Sequence, residues 1–540
     1  MAANPLIRWA IGKALRLPRR RHASIAVEPL RMPLRDGVHL LADRYHSPEA
    51  PQAPVVLIRS PYGRSALFGM MAALLAERGV QVVAQSVRGT SGSEGMFNPM
   101  RQERDDGADT LAWIKAQPWF GGKLYTFGTS YLGNVQWAMA AADPQSLDGM
   151  ALSMTLSNFT DELLGFGGFT LGGMLGWTQT MQMILSGVGM SRKQPDLSPA
   201  LARLPVGTMD EAAFGKPVDW WREWTAHDDP QDPWWQALNH SPAVPQVAAP
   251  VSMVAGWQDI FLPHQLRDFA ARQAAGQPSW ITVGAWSHAA PGGMAESMRD
   301  AVALYAALGE GRTPHADRLP VRLWLQEANQ WREFPSWPPP GSAELRLHLR
   351  AGGRLAPDAG DSAEQPARYT YDPADPTPAV HGPLVMGGDK QRDMAALVAR
   401  SDTAQFTSDA LDADCDVIGP VSVELAVRSD REHTDFFACL CDVDPRGKAR
   451  QVCDGYLRLR PQRPVAGADG VRRIVIDCWP TAWRFRKGHR LMLIVASGAH
   501  PRFARNPGTG EPLATATTLV PAQQEVLLGG QSALVLPRLC

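Results

Sequence analysis

The segment Phe127-Gly128-Thr129-Ser130-Tyr131-Leu132-Gly133 sets a serine between a short apolar run and a stretch with helical spacing. A serine there is either the cap of a helix or a nucleophile. An alcohol at its ordinary pKa attacks a carbonyl poorly. It needs a base in hydrogen-bond reach, a group that orients the base, and donors aimed at the oxygen that becomes negative. A sharp strand-to-helix turn serves these needs, because it lifts the hydroxyl off the sheet and puts the next backbone N–H at a helix N-terminus. The usual elbow is Gly-x-Ser-x-Gly. Here Leu132 stands where the second glycine is expected and Gly133 follows one later. The elbow pattern alone therefore leaves nucleophile and cap open.

The candidate partners favour the nucleophile. Asp259 follows the apolar run "VSMVAGWQ" and His288 follows "ITVGAWS", giving the chain order Ser, Asp, His. Both fall at the carboxyl ends of expected strands, the edge where sites form in open α/β sheets. His264 and Asp268 are near competitors but fall inside the next expected helix. His227, His240 and His315 lie outside strand-end loops and are expected at the surface.

Alternating elements must position these groups. "APVVLIRSP" (53–61), "GVQVVAQS" (79–86) and "KLYTFG" (123–128) read as strands, the first two buried on both faces. "LFGMMAALLAERG" (67–79) and "ERDDGADTLAWIKAQ" (103–117) read as helices between them, which implies a parallel sheet covered by helices. "VRGTSGSEG" (87–95) lacks the Gly-Lys-Ser/Thr ending and the dinucleotide spacing of phosphate loops, so it reads as a tight loop. From about 151 to 245 the chain is rich in Gly, Met and Trp and reads as a helical insertion. "PSWPPPGS" (335–342) marks a boundary. Beyond it short β runs such as "AELRLHLR" and "GPVSVELAVRS" predict a sandwich or jelly roll. The expected domains are 1–24, a basic N-terminal segment; 25–150 with 246–336, α/β; 151–245, a cap; and 341–540, all-β.

Composition bounds the rest. At 540 residues the chain is too long for one core, and a net charge of −1 gives no overall field to hold nucleic acid. Six cysteines, all from Cys415 onward, are too sparse for a disulfide framework and point to a reducing, cytoplasmic setting. Cys439 and Cys441 read as small apolar residues, and the acidic "DALDADCD" (409–416) lacks the glycine and closing glutamate of a calcium loop. No metal or organic cofactor is expected. At the start, Ile7, Ile11, Ala14 and Leu15 recur at helical spacing, followed by Arg19–Arg21. That order opposes a signal peptide and predicts a helix packed on the body, with a membrane-surface helix as the alternative.

The chain resembles the cocaine-esterase-like serine hydrolases, relatives of the X-Pro dipeptidyl peptidases and α-amino-acid ester hydrolases. The marks are "RSPYGR" (59–64), "VRGTSGSEG", "GTSYLG", "GWQDIF", "AWSHAA", "WPPP" (337–340), "YDPADPTP" (371–378) and "DFFACLCDVDPRG" (435–447). The resemblance spans roughly 28 to 540 and accounts for Leu132, since the family's elbow carries Ser-Tyr-x-Gly. It implies an α/β-hydrolase domain with an inserted helical cap and an all-β C-terminal jelly-roll domain. It also implies Ser130 as nucleophile, His288 as base then acid, Asp259 as orienter, and an oxyanion hole from the Tyr62 hydroxyl and the Tyr131 N–H. Trp177 and Phe261 match positions of substrate-binding aromatics. The expected reaction is hydrolysis of a carboxylic ester or amide through an acyl-enzyme on a small-molecule substrate. An α-amino-acid ester hydrolase or aminopeptidase using Asp161 and Glu162 for an ammonium group, acyl transfer, and a homodimer stay open.

Overall fold

Six-residue runs buried along their whole length, β3 (Val55–Ser60) and β4 (Gln81–Ser86), lie in the parallel part of the first sheet. The computed structural model describes residues 4–188, 194–361, 364–383, 393–461 and 464–539; Cys540 lies outside them. Around that pair stand β1 (Ala26–Pro33), β2 (His39–His46), β5 (Leu124–Thr129), β6 (Gly149–Ser153), β7 (Val251–Gln258), β8 (Ser279–Ser287), β9 (Val321–Leu325) and β10 (Gln330–Phe334). Their order is β1-β2-β4-β3-β5-β6-β7-β8-β9-β10. Neighbours from β4 through β9 run parallel, with β1, β2 and β10 as antiparallel edges. The chain steps from β3 outward to β4, then returns to β5 on the other side of β3. That reversal opens a crevice at the strands' carboxyl ends between β3 and β5.

Before the sheet lies helix α1 (Pro5–Ala14), begun by Asn4, whose side chain accepts the Leu6 N–H. It packs on the body with a different face from the expected one. Arg8 and Gly12 are buried, whereas Ile7 and Ala14 are exposed and Ile11 and Leu15 half-buried. The reason is a partner distant in sequence. Arg8 Nε reaches Glu77 at 2.8 Å in a buried pair, and glycine at 12 lets α1 approach helix α2 (Ala66–Ala76), where a Cβ would meet Arg78 Nη2 at 2.9 Å.

Helices α3 (Glu103–Lys115) and α4 (Tyr131–Ala142) pack together beside the sheet. The change of texture at 151 falls inside β6, which runs to Ser153 because its five residues are all buried. The helical insertion follows, with α5 (Phe159–Leu164), α6 (Leu171–Leu185) and shorter turns to Gln246. Its Trp220, Trp221, Trp224 and Trp235 are buried. Two buried charged groups fix its ends. At the exit, Arg272 donates to the carbonyls of Val247 and Ala249, each at 2.8 Å, and to Val244 at 3.2 Å. At the entry, Asp268 accepts the Ser157 hydroxyl at 2.6 Å and its N–H at 3.0 Å.

Among the described residues the C-terminal part forms an eleven-stranded sheet system, anchored by the long antiparallel pair Cys415–Ser429 and Arg472–Phe485. Cys415, Cys439, Cys441, Cys453 and Cys478 are buried there. In the acidic turn Asp416 pairs with Arg484 at 2.6 Å. His240 and His315, expected at the surface, are instead inside. Burial pushes both imidazoles down to about 4, so each packs as a neutral ring.

Burial pushes the Asp268 carboxyl up to about 7, against the opposing pull of the Ser157 bonds and Arg267. Its folded pKa exceeds its ordinary 3.8, so its contribution to stability is complete below that value and is lost as pH rises through about 7. Asp268→Asn keeps an acceptor for Ser157 and has no charge to bury. The stability difference between native chain and variant, read by denaturant unfolding, should fall by up to about 4 kcal/mol over that range. A difference independent of pH would contradict this.

Candidate active site

Ser130 leaves β5 with φ 62° and ψ −125° and immediately precedes α4. A non-glycine residue holds such a backbone only where its surroundings over-determine it. Here they do. The Ser130 N–H donates to the Ser153 carbonyl at 3.0 Å, and the Ser130 carbonyl accepts from Gly133 and Asn134 N–H at 2.8 and 3.0 Å. The Thr155 hydroxyl adds a third bond to that carbonyl at 2.7 Å. Both glycines of the motif have a steric cause. A Cβ on Gly128 would stand 2.4 Å from Leu132 Cβ, and one on Gly133 would stand 2.5 Å from Thr155 Cβ. The close approach that excludes a side chain is therefore at 133, against Thr155, which explains why Leu132 is tolerated one position earlier.

Tyr131 begins α4, so its N–H has no acceptor in the preceding turn of helix and points out of the helix start beside Ser130. Its side chain leaves the crevice. The phenol donates to Glu103 at 2.7 Å and accepts the Met100 N–H at 3.1 Å. Glu103 pairs with Arg59 at 2.8 Å, both nearly inaccessible. Burial drives the Glu103 carboxyl and the Tyr131 phenol upward.

Asp259 lies one residue past β7 and His288 one past β8, and these strands pair directly. His288 Nδ1 and Asp259 Oδ2 are 2.7 Å apart, with the carboxylate wholly buried. The other carboxylate oxygen accepts the Phe261 N–H at 2.7 Å, and the Asp259 carbonyl accepts the indole N–H of Trp479, from the C-terminal domain, at 3.2 Å. Phe261 sets its ring edge-to-face on His288, centroids 5.1 Å apart. The Ser130 hydroxyl forms no direct hydrogen bond to His288. It faces the Tyr62 hydroxyl instead.

Tyr62 sits two residues beyond β3, across the crevice from Ser130. Its hydroxyl accepts the indole N–H of Trp177 on α6 at 2.9 Å. Burial pushes the phenol up to about 12, so it stays protonated. Trp177 also stacks on Tyr131 at 6.2 Å and 9°. Arg59, Glu103, Thr155 and Trp479 were not singled out from sequence. Only the side-chain contacts reveal them.

Of the carboxylates considered for an ammonium group, Asp161 is paired with Arg267. Glu162 is buried and lines a cavity of about 270 Å³ with Phe166, Ile260, Trp479 and Arg502. Burial holds its carboxyl well above the ordinary range, against the pull of Arg502.

Two family models match the chain. X-Pro dipeptidyl-peptidase (S15 family) covers residues 36–290, and the X-Pro dipeptidyl-peptidase C-terminal non-catalytic domain covers 314–536. The cocaine esterase of Rhodococcus sp. (strain MB1 Bresler) is 29% identical over 532 residues, 89% of this chain and 92% of that protein. A solved aminopeptidase from the marine sediment archaeon Thaumarchaeota archaeon superposes with TM-score 0.83 at 20% identity, covering 96% of this chain and 97% of the other. An α-amino acid ester hydrolase superposes with TM-score 0.80 at 22% identity, covering 95% and 96%. At such identities the structural likeness is one of fold. The expected architecture, an α/β-hydrolase domain with a helical cap and an all-β C-terminal domain, is the observed one.

The steric account of the elbow makes a prediction. Gly133→Ala should displace Thr155 and cost about 1–3 kcal/mol in denaturant unfolding, and it should slow labelling of Ser130 by a fluorophosphonate. Leu132→Ala should disturb the labelling rate far less. Equal effects at both positions would contradict this account.

Proposed function

We propose that this chain, which resembles the cocaine-esterase-like, X-Pro dipeptidyl-peptidase-like serine hydrolases in both of its parts, cleaves carboxylic esters through an acyl-enzyme on Ser130. One observation carries the reading: the buried 2.7 Å pair of His288 and Asp259 stands at the same sheet edge as a backbone-strained serine. Nδ1 of His288 is engaged by Asp259, so Nε2 is the nitrogen left to take the Ser130 proton. Catalytic hydrogen bonds of this kind often form only once substrate is bound, and on this reading the imidazole meets the Ser130 hydroxyl in that complex. As Ser130 attacks, charge gathers on the carbonyl oxygen. The Tyr131 N–H and the Tyr62 hydroxyl receive it. The alcohol leaves with the proton from His288, and water enters by the same base to release the acid.

The Tyr62–Trp177 bond gives the phenol a direction. An indole N–H can only donate, so Tyr62 spends a lone pair on it and keeps its own proton for the oxyanion. On this reading Trp177 is a positioning residue as well as an aromatic wall, and Phe261 supports the His288 ring. Esters are favoured over α-aminoacyl substrates. An ammonium group would need an ionised Glu162, which burial disfavours, and would lie close to the guanidinium of Arg502, a like charge, and Asp161 is already paired.

Ser130→Ala should abolish hydrolysis of acetyl and benzoyl esters and fluorophosphonate labelling while leaving the unfolding midpoint near that of the native chain. Asp259→Asn should lower kcat about 10⁴-fold, and Tyr62→Phe about 10²- to 10³-fold. Undiminished turnover in the serine variant would refute the assignment, and faster hydrolysis of α-aminoacyl than of acetyl esters would refute the substrate class.

The role of Trp177 is tested separately by a double-mutant cycle. Trp177→Phe should lower kcat about tenfold in the native background, the range of one neutral hydrogen bond, and have little further effect on kcat when Tyr62 is already Phe. Equal losses in both backgrounds would leave Trp177 a wall only.

A further inference from the structure

The amino-terminal helix takes no part in the site, yet it is built in an unusual way. Leu6 is 75% exposed, and Ile7 and Trp9 are each 52% exposed. The opposite side of the helix is fixed to the body, so these side chains cannot turn inward. Arg8 is bound to buried Glu77, and Gly12 lies against α2. Past the helix, Arg299 donates to the Leu15 carbonyl at 2.9 Å and Arg78 to the Pro18 carbonyl at 3.1 Å. The Arg21 and His22 N–H groups both donate to the Glu77 carbonyl.

The charge around the patch is of one sign. No acidic residue precedes Glu28 in the chain. Lys13, Arg16, Arg19 and Arg20 are exposed, and none has a carboxylate partner among the described residues. The nearby carboxylates are occupied: Glu310 by Arg21 and Arg312, and Glu49 by His22. The Lys13 ammonium lies 4.9 Å from the Trp9 ring centroid, placing an indole and a cation together at the rim of the patch. Since the whole chain carries only −1, this is a local feature and not a general basicity.

We propose that α1 and the basic segment after it form an attachment patch for an anionic lipid surface. Leu6, Ile7 and Trp9 enter the boundary between headgroups and acyl chains, while Lys13, Arg16, Arg19 and Arg20 face the lipid phosphates. This combination separates lipid from other anions. Free phosphate or a nucleic acid backbone offers nothing to Leu6 and Ile7, whereas an interfacial helix uses an apolar face bordered by cations. Three apolar side chains and four cations give reversible, salt-sensitive attachment.

The intact protein is floated with phosphatidylcholine vesicles and with vesicles that also contain phosphatidylglycerol. Partition onto the anionic vesicles should be about tenfold stronger or more at low salt, and should vanish near 1 M salt, where screening acts within about 3 Å. Leu6→Ser with Trp9→Ser, and separately Arg16→Glu with Arg19→Glu and Arg20→Glu, should each abolish it without moving the unfolding midpoint. Absence of flotation, equal flotation with neutral vesicles, or flotation retained by either variant would overturn the proposal. So would a stable dimer in solution that Trp9→Ser splits, since the patch would then be a contact between copies of the chain.

Discussion

A positive φ at Ser130 is the constraint on which the rest of the site turns. Left to itself, a residue with a Cβ relaxes out of that conformation, at a gain of about 1–3 kcal/mol. The chain prevents this by making every alternative lose several hydrogen bonds at once. The Ser130 N–H is held by β6, and its carbonyl is held by the first turn of α4 and by the Thr155 hydroxyl. Those bonds hold only if the backbones come close, and Gly128 and Gly133 are the places where they do. The Ser130 backbone is thus held by the sheet and by α4, which on the proposed reading suits a group that must meet a carbonyl at a fixed angle.

A second layer of support lies below the crevice and is paid for in buried charge. Arg59 and Glu103 are removed from water together, Nη1 standing 2.8 Å from Oε2, and Arg59 Nη2 still has no hydrogen-bond partner among the described residues. Such a pair is a weak source of stability, because desolvation offsets much of the attraction. What it does is fix Tyr131. The phenol is tied to Glu103 and to the Met100 N–H, so the residue that starts α4 is anchored at both its backbone and its tip. Trp177 then stacks on the fixed ring. Rigidity passes from the sheet through an aromatic face to the cap.

Much of this was legible in the sequence, and the parts that were not share a physical cause. Asp259 and His288 stood out because strands buried on both faces read as unbroken apolar runs, so a polar residue at the end of one is conspicuous. The helical insertion and the all-β region were likewise visible in texture and turn residues. The facing of α1 was hidden. Periodicity counted Ile7 and Ile11 as the buried stripe, but Arg8 is the residue inside, because Glu77 awaits it 69 positions away. His240 and His315 misled for a similar reason: burial disfavours the charged ring, and the neutral imidazole can pack inside, as His315 does with the Ser252 hydroxyl 3.1 Å from its Nε2. Thr155, Glu103 and Trp479 carry no local signal at all. Their meaning lies in which strand ends meet, and single-sequence spacing does not encode that.

The three parts of the chain are not independent supports for one catalytic edge. Trp479, in the C-terminal sheet, holds the carbonyl of Asp259, while the Phe261 N–H holds its side chain. Asp259, behind the imidazole, is therefore held from two domains, at its backbone by one and at its carboxylate by the other. Trp177, in the cap, holds the Tyr62 hydroxyl. On the proposed reading the orienting acid depends on the C-terminal domain and one oxyanion donor, the Tyr62 hydroxyl, depends on the cap, while the hydrolase domain supplies the serine, the histidine and the Tyr131 N–H outright. Movement of the cap relative to the sheet would then alter stabilisation of the transition state before it altered substrate access. Movement of the C-terminal domain would act through the orientation of His288. On that reading the bond from Trp479 to the Asp259 carbonyl gives the C-terminal domain a part in holding the orienting acid.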